Sequence, residues 1–200
     1  SALEIDNIRD HCQPRRTFYT AEVSPEAIAH GERHGAEIHE IGMLGKLSIG
    51  PIADVQEEPV FKESEKQVAV MIYTSGTTGN PKGVMLSHRN LLFISEATKD
   101  VRGFTPDDYV YLTLPLSHIF GLSSSFLSSL YAGATLHLVP GFNSAHLFKT
   151  LPKGISVFQG VPTMYSNLLE YAKINKLEID APRLRYLSSG GAPMDMNLKT

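Results

Sequence analysis

From residue 67 onward, short apolar runs alternate with amphipathic stretches, and this rhythm limits the fold more than any other property of the chain. Residues 68–74, 84–86, 109–114, 134–139, 155–159 and 184–187 have the composition of strands. Between them Ser87 precedes a helical stretch ending near Gly103, and further helices are predicted over 120–131, 144–151 and from Pro162 to about Asn175. Alternation of this kind predicts an α/β fold, a mostly parallel sheet with flanking helices. Ligands in such sheets bind at the carboxyl ends of the strands, in the loops.

The first third reads less regularly. Residues 17–20 form a strand pattern, and Ser24-Pro25-Glu26 supplies an N-cap, a proline at the first helical position and an early acid. That helix should reach about His34 and stop at Gly35. Residues 36–41 are a second strand pattern, so 15–41 resemble a βαβ unit. Gly42, Gly45, Gly50, Pro51 and the charged stretch 57–66 then predict a connection with little regular structure. The boundary is placed near residue 66, dividing the chain into 1–66 and 67–200.

Composition removes several classes of partner. Lys plus Arg is 18 and Asp plus Glu is 21, a formal charge of −3, which offers no bulk field for nucleic acid or an anionic membrane. One cysteine, Cys12, permits no internal disulfide and no cysteine metal cluster, so a reducing, cytoplasmic setting is expected. The longest fully apolar run, 68–73, is six residues, far short of the ~20 a membrane helix needs. The N-terminus carries charges where a signal peptide would be apolar.

Chemistry is concentrated in Tyr73-Thr74-Ser75-Gly76-Thr77-Thr78-Gly79-Asn80-Pro81-Lys82-Gly83. A strand ends, and the ten residues after Tyr73 hold three glycines, four hydroxyl side chains and one lysine. Glycines let backbone N–H groups wrap an anion, hydroxyls donate further hydrogen bonds, and lysine adds a full charge. That combination at a strand end suits a polyphosphate. The loop is not the common P-loop: with Gly76 as the first glycine of G-x-x-x-x-G-K-[ST], the second glycine falls on Pro81 and the last position on Gly83. No G-x-G-x-x-G or G-x-S-x-G is present.

The segment YTSGTTGNPKGVMLSH, residues 73–88, resembles the phosphate-loop signature of the adenylate-forming (AMP-binding) enzymes, among them acyl-CoA synthetases, luciferases and adenylation domains. Leu114-Pro115-Leu116-Ser117-His118-Ile119-Phe120-Gly121 is similar to the family's second motif, whose histidine lies near the acyl carboxylate. Ser188-Ser189-Gly190-Gly191-Ala192-Pro193-Met194 is similar to the glycine-rich turn that lines adenine and ribose. Val161-Pro162-Thr163-Met164-Tyr165 points to the acyl-CoA synthetase branch, while residues 1–66 match only loosely.

The resemblance implies a fragment of an ATP-dependent acyl-CoA ligase that activates a fatty or aryl acid as its adenylate and passes it to coenzyme A. Its fold would be partial subdomains of the family's N-terminal domain: 1–66 the end of a first α/β subdomain, 67–200 a truncated ATP- and acyl-binding subdomain. Thr74, Ser75, Gly76, Thr77, Thr78, Gly79 and Lys82 would hold the phosphates, and Gly190, Gly191, Ala192 and Pro193 the adenosine. Lys82 would act on the departing pyrophosphate, with Mg²⁺ supplementing its charge, and His118 would orient the carboxylate or gate the acyl tunnel. No residue is assigned as a metal ligand. Motifs the family carries further on are expected beyond Thr200, which leaves these 200 residues inactive alone and prone to self-association through uncovered sheet edges. Two alternatives stand beside this reading: an adenylation domain that loads a carrier protein, and a non-catalytic nucleotide-binding or interaction module. His30 and His34 lie on one helix face, but Glu32 fits neither H-E-x-x-H nor H-x-x-E-H, so a solvated face is expected there.

Overall fold

The structure, a computed structural model, describes residues 2–74 and 82–194. The chain divides into two compact units, Ser1–Val60 with Tyr73–Val84, and Phe61–Ile72 with Met85–Thr200. No helix among the described residues is long and apolar enough to cross a membrane.

The first unit opens with a helix that has no clear sequence signal, α1 (Ala2–Cys12), which buries none of its residues and so carries no apolar stripe to detect. Strand β1 (Phe18–Thr20) leads to α2 (Pro25–Arg33), where the Ser24 hydroxyl accepts from the Ala27 N–H at 3.2 Å and Pro25 occupies the first turn. Strand β2 (Glu37–Glu40) follows. The expected βαβ unit forms, but its two strands, parallel to one another, are not neighbours. A further strand, β3 (Lys46–Ile49), lies between β1 and β2 and pairs antiparallel with both. Residues 42–67 are therefore not all irregular. A 3₁₀ turn at Gly42–Leu44 reverses the chain, closed by Ile41 N–H donating to the Gly45 carbonyl at 2.8 Å, and its glycines mark that reversal rather than a long loop.

Strands β4 (Val68–Thr74) and β5 (Lys82–Ser87) pair as a two-stranded sheet. β4 is half-buried rather than buried as expected, and β5 starts at Lys82, so Lys82 and Gly83 belong to a strand and not to the loop.

The second unit matches the predicted rhythm closely. Helix α3 (His88–Arg102) begins at a reciprocal cap: Asn90 N–H donates to the Ser87 hydroxyl at 3.2 Å, and Ser87 N–H donates to Asn90 Oδ1 at 3.0 Å. Strand β6 (Tyr109–Leu112) precedes a π-helical segment, Phe120–Leu127, which runs into α4 (Ser128–Ala132). Then come β7 (Thr135–Leu138), α5 (Ser144–Thr150), β8 (Val157–Gly160), α6 (Pro162–Asn175) and β9 (Tyr186–Ser189). The four strands form one parallel sheet, order β7-β6-β8-β9. Alternate residues serve opposite faces: Tyr111 and Phe158 pack with Leu147, Leu151 and Leu168, while Val110 and Val157 pack with Phe104 and Ala132. At the amino ends of β6, β8 and β9, the buried Asp108 carboxylate accepts from Ser156 Oγ (2.7 Å), Thr105 N (2.8 Å) and Arg185 Nε (2.8 Å). The ligand-competent end of the sheet is the other one.

Candidate functional site

Leaving β6, the chain turns at Pro115, and His118 N–H donates to the Pro115 carbonyl at 3.1 Å. The His118 ring is exposed, and its Nδ1 accepts from the Phe120 N–H at 3.2 Å. In a neutral imidazole so used, the proton sits on Nε2, which makes that nitrogen a donor. A donor suits the expected role of orienting a carboxylate better than that of a base.

The sequence predicts one ordinary helix over 120–131 after His118. The first eight residues are instead wound as a π-helix, for two identifiable reasons. Gly121 lies so close to the preceding turn that an added Cβ would stand 2.9 Å from the Leu114 carbonyl oxygen and 2.8 Å from the Pro115 carbonyl carbon. Three buried serines and the half-buried Arg102 also claim carbonyls of the helix. Ser123 Oγ donates to Ile119 O (2.9 Å), Ser128 Oγ to Ser123 O (2.6 Å), Ser129 Oγ to Ser125 O (2.6 Å) and Arg102 Nη1 to Ser124 O (3.0 Å). Gln159 of β8 completes this layer. With its amide nitrogen toward the serines it donates to Ser124 O (3.1 Å) and Ser125 Oγ (2.7 Å), and its oxygen accepts from Arg102.

Two of the sequence motifs meet at this edge. Gly190 follows β9, and a Cβ there would stand 3.1 Å from the Phe120 ring, so the absent side chain lets the two segments close. Gly191 has φ +79°, a left-handed conformation costly for other residues. Gly190 N–H donates to the Gly160 carbonyl at 3.2 Å, extending the β8–β9 ladder by one bond. Ala192 and Pro193 are exposed beyond the turn. The two glycines themselves add no side chains at this edge, so the turn's backbone can approach its neighbours closely. Sequence reasoning alone misses two residues that hold this edge, Gln159 and Tyr165. Tyr165 lies in the 161–165 segment, but only the structure shows what its hydroxyl does there, which is to donate to the Ser188 carbonyl at 2.6 Å.

Of the phosphate-loop residues, Thr74 is the exposed last residue of β4 and Lys82 the exposed first residue of β5. Ser75, Gly76, Thr77, Thr78 and Gly79 lie outside the described residues. In the same unit, the Tyr73 hydroxyl and His11 Nδ1 are 2.6 Å apart.

The expectation of a solvated face at His30 and His34 is corrected. His30 is 3% exposed, because α1 folds Asp6 against it. Asp6 Oδ1 accepts from His34 Nε2 at 2.7 Å and stands 3.6 Å from His30 Nε2. Arg9 and Arg33 face the Nδ1 atoms of His34 and His30. A guanidinium can only donate, so both Nδ1 atoms accept and both Nε2 atoms keep their protons. The group is a carboxylate–imidazole latch between two helices, poorly arranged for a cation because N–H groups and two arginines face the would-be site.

This latch makes a pH prediction. The His34 hydrogen bond, opposed by partial burial and aided by Arg33, His30 and His34, lowers the Asp6 pKa below its ordinary 3.8. Desolvation is the main cause lowering the His30 pKa below 6.5, against the pull of Asp6. Both shifts act in one direction. The His30 contribution is whole above pH 6.5 and declines as the unfolded chain takes up a proton first; the Asp6 contribution is lost as pH falls through its depressed folded value. Limited proteolysis should therefore release α1 more readily at pH 4.5 than at pH 7.5, and Asp6→Asn should release it at both. Equal cleavage of the parent chain at the two values would contradict the latch.

A parallel α/β sheet whose strand ends carry the loops places any ligand site at its carboxyl edge, where the glycine turn lies. The chain belongs to the AMP-binding enzyme family, which it matches over residues 1–200. It is 35% identical over 127 residues to the mitochondrial malonate–CoA ligase of Homo sapiens, covering 61% of this chain and 22% of that protein. It is 31% identical over 154 residues to a 4-coumarate–CoA ligase of Humulus lupulus, covering 74% of this chain and 27% of that protein. Among solved structures it is similar to ATP-bound MatB from Rhodopseudomonas palustris, with TM-score 0.58 and 32% identity over 70% of this chain and 27% of that one. The chain spans about a quarter of the length of the proteins it matches.

Proposed function

We propose that this chain is the part of an ATP-dependent acyl-CoA ligase that carries the phosphate loop, the carboxylate-facing histidine and the adenosine turn. The observation that supports this best is the closure of Phe120, two residues after His118, onto Gly190, which puts two motifs at one sheet edge. Residues 67–200 are assigned to ATP and acyl binding and residues 1–66 to the preceding subdomain.

The reaction has two balanced steps. A carboxylate oxygen attacks the α-phosphorus of ATP; the new P–O bond forms as the bond to the β-phosphate oxygen breaks, giving acyl-adenylate and pyrophosphate. A thiolate then attacks the acyl carbon and AMP leaves. The Thr74–Lys82 segment would surround the β- and γ-phosphates, with the Lys82 charge growing in value as negative charge builds on the leaving pyrophosphate. Mg²⁺ would enter with the triphosphate and neutralise part of its charge; no side chain here is assigned to it. His118 Nε2–H would hold the carboxylate in line. Gly190, Gly191, Ala192 and Pro193 would offer backbone to the adenosine.

The relatives named as CoA ligases support coenzyme A over a carrier protein as acceptor. Their names cover an aliphatic diacid and an aryl acid, so the acid proposed is a carboxylic acid of either kind. A cytoplasmic setting remains a proposal beside a relative named as mitochondrial. Self-association does so too, resting on the outer side of β9, where Leu187 is 54% exposed.

The test is ATP–pyrophosphate exchange by the intact protein, driven by a panel of aliphatic, dicarboxylic and aromatic acids, followed by thioester formation with coenzyme A. Acid-dependent exchange is expected, and Lys82→Ala should slow it about 10²-fold, the usual scale for removing one group that stabilises developing charge. Absence of exchange with every acid would defeat the proposal.

A further inference from the structure

Gly190 and Gly191, which open the turn assigned to adenosine, have no side chains of their own to hold them. Gly190 and Gly191 are flexible by nature, and Gly191 occupies a left-handed conformation. Something else must keep the backbone from sampling alternatives, because a loose turn would spend binding energy on its own ordering. Three features converge on it. The parallel ladder pairs Gln159 with Ser188 and Gly160 with Ser189. Gly190 N–H reaches the Gly160 carbonyl at 3.2 Å. The third comes from a helix: the Tyr165 hydroxyl, on the first turns of α6, donates to the Ser188 carbonyl at 2.6 Å and lies 3.3 Å from the Phe158 carbonyl.

We propose that Tyr165 is a positioning residue for nucleotide binding: its O–H···O bond to Ser188 fixes the β9 exit so that Gly190 and Gly191 are already in their binding conformation before ATP arrives. This rests on the assignment of the glycine turn to adenosine made above.

The geometry supports an anchor more than a simple packing contact. Tyr165 cannot shift freely, since its ring is wedged beside Gly160, where an added Cβ would stand 3.3 Å from Tyr165 Cε2 and 3.2 Å from Met164 Sδ. The ring also packs on Phe158 with centroids 5.2 Å apart. Burial, partly offset by its backbone hydrogen bonds at Ser188 and Gly160, raises the phenol pKa well above 10, so the hydroxyl stays a donor at every physiological pH. The helix that carries it is fixed at its start by Pro162 and reaches the sheet through Leu168. Ser188 is two residues before Gly190, close enough that a rotation at its carbonyl is felt directly in the turn.

The experiment compares Tyr165→Phe with a matched control in the intact protein. Tyr165→Phe keeps the ring and removes the hydroxyl. Tyr111→Phe, on β6, removes another phenol hydroxyl, bonded to His146 Nδ1 at 2.8 Å, which makes no hydrogen bond to the turn. Both variants lose a half-buried phenol hydrogen bond, so both should melt somewhat below the parent. Only Tyr165→Phe should speed amide exchange at 189–191, and only it should raise the ATP dissociation constant and the KM for ATP, by about 3- to 10-fold, the range one hydrogen bond commands. kcat for pyrophosphate exchange should stay within about twofold, since the anchor acts on binding and not on the reacting atoms.

Parent-like exchange at 189–191 in Tyr165→Phe overturns the positioning role. So does an ATP affinity equal to the parent's, or an equal loss of affinity in Tyr111→Phe. A parent protein that binds no ATP overturns the assignment of the turn and this inference with it, whereas a parent that binds while Tyr165→Phe binds equally overturns this inference alone.

Discussion

Asp108→Ala should destabilise the four-stranded unit by about 3 kcal/mol, the lower end of what breaking a buried ion pair costs. The carboxylate is 3% exposed and gathers groups from three strand starts: Thr105 N and the β6 entrance, Ser156 Oγ before β8, and Arg185 before β9. Ser156 Oγ in turn accepts from Tyr109 N–H at 2.9 Å, so removing the acid disturbs a second bond. Alanine strands the Thr105 N–H and the Ser156 hydroxyl without their acceptor. The cost stays at the low end because the Arg185 side chain is 41% exposed and can turn its charge to water. A denaturant titration should show a lower midpoint with an unchanged slope; a midpoint equal to the parent's would show that the cluster contributes nothing. The same group sets an acid limit. Burial alone would raise the Asp108 pKa, but Arg185, Ser156 and Thr105 together outweigh it and hold the pKa below 3.8. Its contribution is therefore complete above about pH 4 and is lost as pH falls through the depressed folded value.

Gly121→Ala should be the most damaging single change at the carboxyl edge. The methyl group would enter space held by the backbone carbonyls of Leu114 and Pro115, neither of which can swing aside as a flexible side chain could. Overpacking of this kind costs about 1–3 kcal/mol, and here the upper figure is expected because the clash is with backbone. The relief available is to push the 114–118 turn outward, which displaces His118 and draws Phe120 off Gly190. Acid-dependent pyrophosphate exchange should then fall by about 10²-fold, the scale that follows from a small misplacement of reacting groups. Gly141→Ala is the control: an added Cβ there meets nothing within 4 Å, so stability and exchange should match the parent. Parent-like exchange in Gly121→Ala would separate the π-helical segment from catalysis.

Much of the second unit is legible in the sequence because its signals are local. Ser87 and Asn90 satisfy one another within a single turn, Pro162 begins α6 because its missing N–H costs nothing there, and the helix ends at Asn175 as its pattern predicts. β6, β7, β8 and β9 each carry enough apolar residues to declare a strand, and helices between them leave few ways to join the strands except in parallel. The first unit is harder. β3 is four residues in a stretch dense with glycine, and its place between β1 and β2 depends on cross-strand partners such as Thr20↔Leu47, a pairing that no local pattern encodes. Helix α1 buries nothing, and its meaning comes from Asp6 reaching His34, 28 positions on.

The candidate site divides along the same line. Residue types from Thr74 to Gly83 already suggest an anion, because a loop's chemistry lies in its composition and short spacing, whereas the carboxylate expected at His118 and the adenosine expected at Gly190 and Gly191 come only from the family resemblance. The tertiary structure alone decided that Phe120 closes on Gly190, that Gly121 cannot bear a side chain, that buried serines and Arg102 wind the next helix as a π-helix, and that Tyr165 holds Ser188. Each of those depends on how separate segments pack, set by the distance between neighbouring strands and the depth of a helix on a sheet. Sequence spacing carries the chemistry of a group; only packing fixes which atoms stand in front of it.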